Sequence, residues 1–279
     1  MYPRVAAAAV ATAFVLAGCS QGDKKADAAA APAVEPALVV VTATDYAFAG
    51  PDTIHSGPTV FRLVNHGAEA HQISMFRLDS AKTMQDMMAL PPDANPAWVV
   101  PVGGPNAAAP GDSVRATLNL EPGNYAMMCF IPSPDGKPHV MKGMSRPITV
   151  VPATGPVAAE PEADVTMTLK DYGFDAAPAI TSGRHIIRIN NAGPQVHEMV
   201  LVRLPAGKTM QDFVNWTNTM QGPMVGEVIN GIAGMAPGQH AFVTNNFTPG
   251  TYGLVCFVPD AKDGKPHFLH GMIMDFTVS

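Results

Sequence analysis

The second half of this 279-residue chain repeats the first, so its fold must be one that the sequence can build twice. Asp45-Tyr46-Ala-Phe48 returns as Asp171-Tyr172-Gly-Phe174, and Lys82-Thr-Met-Gln-Asp86 as Lys208-Thr-Met-Gln-Asp212. Pro122-Gly-Asn-Tyr125 returns as Pro249-Gly-Thr-Tyr252, and Ala109-Pro-Gly111 as Ala236-Pro-Gly238 after a one-residue insertion. β-branched and partly alternating runs predict strands over 37–43, 59–65, 73–78, 113–120, 123–130 and 147–151. Their partners lie over 164–169, 185–190, 199–204, 240–247, 250–257 and 273–278. One segment per repeat departs from that pattern. After Lys82 and Lys208 the apolar spacing is helical, with Thr83 and Thr209 placed to cap. Short strands punctuated by Pro and Gly, plus one inserted helix, predict two tandem all-β Greek-key sandwiches. The expected domains are 37–151 and 164–279. The linker between them, 152–163, is rich in Pro, Ala and Glu.

Charged residues make up 14% of the chain and the net charge is −6, which argues against a nucleic-acid partner. Arg4 followed by an apolar, alanine-rich run from Val5 to Ala17 has the form of an export signal. Its end, Leu16-Ala17-Gly18-Cys19, resembles the bacterial lipoprotein cleavage box. That resemblance implies a signal peptide over 1–19 and a lipid anchor on Cys19, facing the periplasm or the cell surface. Residues 20–36 hold too little apolar surface for a core and are expected to form a flexible tether. No later segment is long and apolar enough to span a membrane. An exported protein normally pairs its cysteines. Here each repeat carries one, Cys129 or Cys256, which is better suited to a metal ligand or a buried thiol than to a disulfide framework.

Four of the nine histidines occupy repeat-equivalent positions, His71 with His197 and His139 with His267. Each pair brackets a cysteine, and Gly-Met ends the loop at Met144 and Met272. Two imidazoles, a thiolate and a weak thioether form the ligand set of a blue-copper centre. The remaining five histidines (His55, His66, His185, His240 and His270) have no counterpart in the other half. Met84, Met87, Met88, Met127 and Met128 sit at core spacing and are read as packing.

Asn190-Asn-Ala-Gly-Pro-Gln-Val-His197 resembles the segment that delivers the first histidine in plastocyanin-like cupredoxins. Gly-Asn/Thr-Tyr-x-x-x-Cys-Phe-x-Pro, followed by His-x-x-x-Gly-Met, resembles their last strand and ligand loop. The resemblance spans both repeats. It implies one copper per domain, held by His71, Cys129, His139 and Met144 and by His197, Cys256, His267 and Met272. In the same resemblance Asn65 and Asn191 tie the two ligand loops together by hydrogen bonds. Electron transfer to a redox protein partner is the function it implies. The spacing from cysteine to histidine, ten residues in one half and eleven in the other, is longer than in small electron carriers and closer to copper nitrite reductases. Met128 and Val255 stand where those enzymes carry a wiring histidine, so the chain is not expected to be an enzyme. The same residues leave open a copper-delivery protein and a metal-free interaction module.

Overall fold

The computed structural model describes residues 34–91 and 94–279. The expected signal peptide, Cys19 and nearly all of the tether lie outside the described residues. Ala33–Ser279 form one compact unit. The first repeat runs β1 (Ala37–Thr44), β2 (Ala47–Ala49), β3 (Thr53–His55), β4 (Gly57–Asn65) and β5 (Ser74–Leu78). After α1 (Met84–Met88) come β6 (Val99–Gly103), β7 (Ser113–Leu120), β8 (Gly123–Met128) and β9 (Ser145–Val151). The second repeat runs β10 (Val165–Lys170), β11 (Gly173–Ala177), β12 (Gly183–Asn191) and β13 (His197–Leu204). It continues through α2 (Met210–Thr217), β14 (Glu227–Met235), β15 (His240–Phe247), β16 (Gly250–Val255) and β17 (Ile273–Val278). Among the described residues no helix is long and apolar enough to cross a membrane.

The all-β sandwich expected from the strand pattern is present. One sheet has the order β11-β10-β12-β15-β7-β4-β1-β2, the other β17-β16-β13-β14-β6-β5-β8-β9-β3. Both run through the two repeats. They are joined at Phe242↔Thr117 between β15 and β7, and at Met235↔Val102 between β14 and β6. Alternation sets the inner face: Val39, Val41 and Ala43 of β1 are buried, while Leu38 and Val40 face outward. The apolar residues of both sheets close into one cluster that includes Cys129, Met144, Cys256 and Met272. The Pro-Gly-x-Tyr turns are fixed by their tyrosines. Tyr125 donates to the Glu121 carbonyl and Tyr252 to the Thr248 carbonyl, each at 2.8 Å.

The seam strands β6 and β14 were not among the strands read from the sequence. Pro101, Gly103, Gly231 and Gly234 interrupt their alternation, and it is pairing with β5 and β13 of their own repeats that makes them strands. The expected strand over 123–130 also stops early. Cys129 still donates to the Met144 carbonyl, but its own carbonyl turns to accept from Val140 of the ligand loop.

Candidate metal centres

Each first histidine is delivered by an asparagine-braced turn. The side chain of Asn65, at the end of β4, accepts from the Gly67 N–H and donates to the carbonyls of Glu69 (2.7 Å) and Ala108 (2.9 Å). His71 then pairs with Ala108 through two backbone hydrogen bonds. Asn191 does the same at the end of β12, donating to the carbonyls of Gln195 and Met235, both at 2.7 Å. These asparagines therefore brace the first-histidine turn against the segment before β7 or β15. This corrects the expectation that they reach the cysteine loop, which is held by its own backbone instead.

That loop folds back on itself. A short 3-10 turn begins at His139, and another at His267. Val140 donates to the Cys129 carbonyl, and Met144 to that of His139; Phe268 and Met272 make the equivalent bonds to Cys256 and His267. Met144 and Met272 are fully buried, tied through the backbone to the cysteine and histidine of their own loop. Met141 is largely exposed, and it is Met144 that the fold turns inward.

The structure brings the predicted donors together in both halves. His71 Nδ1 lies 3.0 Å from His139 Nδ1, and Cys129 Sγ 3.4 Å from His139 Nδ1. In the second half the same separations are 3.0 and 3.5 Å. Within each half the three donor atoms lie within 4.8 Å of one another, and all six residues are fully buried. The Gln72 and Glu198 N–H groups point at the two sulfurs, at 3.5 and 3.4 Å. Both thiols are free, so no bridge joins the halves.

The far sides of the rings show what the near sides face. His71 Nε2 is 2.8 Å from Asp45 Oδ1, and His197 Nε2 is 2.6 Å from Asp171 Oδ1. His139 Nε2 is 2.9 Å from Glu69 Oε2. An ionised carboxylate only accepts, so these rings carry their proton on Nε2 and leave Nδ1 bare. In the first half two bare Nδ1 atoms then face each other across 3.0 Å beside a thiol. Burial pushes the His71, His197 and His267 imidazoles below their ordinary value, which keeps them neutral. It pushes the Cys129 thiol up to about 11 and Cys256 further in the same direction. Converging, dehydrated lone pairs without a counter-charge are what a soft or borderline cation neutralises, and N₂S donors with a buried methionine in the same loop suit copper.

The ligand pattern in the sequence gives these carboxylates no role. Asp45 and Asp171 were legible as part of the repeated Asp-Tyr pair. Glu69 and Asp260 were not, because they occupy non-equivalent positions. His270 joins neither cluster. It stacks on Tyr172 at 4.9 Å and contacts Asp263 at 3.2 Å.

Neither a protein-family model nor a curated protein matches the chain. Among solved structures it is similar to auracyanin from Roseiflexus castenholzii, with 21% identity over 41% of this chain and 97% of that one, at a TM-score of 0.29. It is also similar to blue copper oxidase from Nitrosomonas europaea, with 17% identity over 88% and 86% and a TM-score of 0.27. Copper nitrite reductase from the same organism matches at 14% over 88% and 94%, TM-score 0.26. The matches that span most of the chain are named as enzymes, which overturns the expectation that this chain is not one. Scores this low assign it no reaction. By its sheets and its paired His-Cys-His clusters, the chain has a cupredoxin-like fold built in duplicate, with donor sets that fit copper.

Proposed function

We propose that the protein is exported, anchored to a membrane through a lipid on Cys19, and passes single electrons between partner proteins in the periplasm or at the cell surface. The halves 37–151 and 164–279 each act as a domain holding one copper, through His71, Cys129, His139 and Met144 and through His197, Cys256, His267 and Met272. The observation that supports this reading is the pair of imidazole Nδ1 atoms that face each other at 3.0 Å beside a buried thiol in each half. Bound copper would supply a Cu(I)/Cu(II) couple.

The protein's own part is rigidity and exclusion of water. Backbone hydrogen bonds fix the cysteine loop, Asp45 and Asp171 orient the first rings, and full burial leaves little to reorganise when charge changes. Copper(II) added to the full chain is expected to give an intense visible thiolate-to-copper band and two equivalents bound. Cys129→Ser and Cys256→Ser are each expected to remove one equivalent. Weak colour with readily exchanged Cu(I) would point to copper delivery, and no copper uptake would leave an interaction module. Oxygen or nitrite consumption by the reduced, loaded protein tests for turnover.

A further inference from the structure

The two centres share their ligands and the carboxylate behind the first histidine, and they differ at the second histidine. In the first half Glu69 accepts from His139 Nε2 at 2.9 Å with one oxygen, and from the Tyr46 hydroxyl at 2.7 Å with the other. Ser133 completes the group with a hydrogen bond to Tyr46 at 3.2 Å. In the second half Gln195 stands in the place of Glu69 and Asp260 in that of Ser133. The acid has moved from the loop before the first histidine to the loop after the cysteine.

Asp260 keeps the tyrosine, with Tyr172 at 2.5 Å, and binds Gln195 Nε2 at 2.9 Å. It does not keep the imidazole. His267 Nε2 lies 3.8 Å from Asp260 Oδ2, beyond hydrogen-bond reach, and is without a hydrogen-bond partner among the described residues.

We infer that this exchange holds the two copper centres at unequal potentials, the first below the second, so that an electron delivered to the chain passes from the first centre to the second. The inference rests on the copper reading above. A carboxylate accepting the outer N–H of a ligating imidazole makes its inner nitrogen a stronger donor, which favours Cu(II) over Cu(I). His139 has that support and His267 lacks it. The Asp45 and Asp171 contacts are common to both halves and cancel. Glu69 and Asp260 are therefore positioning residues, acting on the metal through the histidine.

A bonded route joins the centres. Ala108 is paired with His71, and two residues before it Asn106 donates to Glu198 Oε2 at 3.3 Å. The Glu198 N–H in turn points at Cys256 Sγ. Each transfer along it oxidises Cu(I) at the first site and reduces Cu(II) at the second, with one electron moved and no proton required.

A redox titration of the copper-loaded full chain, followed by its visible band, tests this. Two one-electron steps are expected, the lower absent in Cys129→Ser and the upper absent in Cys256→Ser. Glu69→Gln with Ser133→Asp copies the second half's arrangement into the first and is expected to raise the lower step toward the upper. Gln195→Glu with Asp260→Ser is expected to lower the upper step. Both exchanges keep all ligands, so neither depends on a cysteine variant folding. Glu198→Gln matches Gln72 of the first half and removes the other acidic difference beside the sulfurs; the order of the steps is expected to persist. A single potential for both centres, or a lower step unmoved by the first exchange with its colour intact, overturns the inference and leaves the copper reading standing. A wild-type protein without the intense band overturns both.

Discussion

Gly67 and Gly193 let a carboxylate reach the back of the first ligand ring. A Cβ on Gly67 would stand 2.3 Å from Asp45 Oδ1 and 2.6 Å from His71 Nε2. On Gly193 it would stand 2.5 Å from His197 Nε2. The turn passes too close to the Asp–His contact for any side chain, so hydrogen is the largest group it tolerates. Gly193→Ala is expected to push Asp171 away from His197 and to weaken copper binding at the second centre by about 10- to 100-fold, the usual cost of losing an outer partner of a metal-bound histidine. Copper stoichiometry under a competing chelator would show the loss, with the first centre retained. Little of this was legible beforehand. The ligand residues could be read because the repeat marks them twice, whereas the turn glycine gains its role only when Asp45 or Asp171 folds against it.

At the scale of elements, the two helices share a cap and differ in what they bury. Thr83 with Asp86, and Thr209 with Asp212, form complete capping boxes. α2 sinks Met210, Phe213 and Val214 against β13 and β16, while α1 buries none of its residues. Thr209→Ala is expected to cost about 1 kcal/mol, read as a lower denaturation midpoint. Thr83→Ala is expected to cost less, because α1 packs only half-buried Met84 and Met87 on the sheet where α2 packs three fully buried side chains. The repeated Lys-Thr-Met-Gln-Asp motif was enough to place both helices and their caps. Their unequal anchoring depends on the sheet beneath them, which the motif does not describe.

At the scale of the molecule, the segment between the repeats does more than connect them. Glu160 accepts from Asn119 of the first half at 3.0 Å, and from His240 at 2.8 Å and Arg188 at 3.1 Å of the second. Partial burial would raise its pKa, but the His240 and Asn119 hydrogen bonds and the His240 and Arg188 charges outweigh that and hold it below the ordinary 4.5. A depressed carboxylate stabilises the fold above its unfolded value, and that contribution is lost as pH falls through the folded one. Stability is therefore expected to decline below about pH 4.5, and Glu160→Gln to shrink the decline over roughly pH 5 to 3, measured by denaturant midpoints across that range. Other depressed carboxylates, Asp164 beside His185 among them, keep part of the acid sensitivity in the variant.

The duplication, the strand-rich class, the capped helices and the identity of the converging donors are all legible in the residues alone. Those follow from local periodicity and from residue types that recur at matched positions. The residues alone do not determine that β6 and β14 form the seam, that Asn65 and Asn191 brace a different segment, or which carboxylate backs each ring. Those depend on surfaces meeting from distant parts of the chain. Glu69 and Asp260 show why. They do comparable work for Tyr46 and Tyr172 from different loops, and only the folded distances, 2.9 Å to His139 against 3.8 Å to His267, show which of them reaches an imidazole.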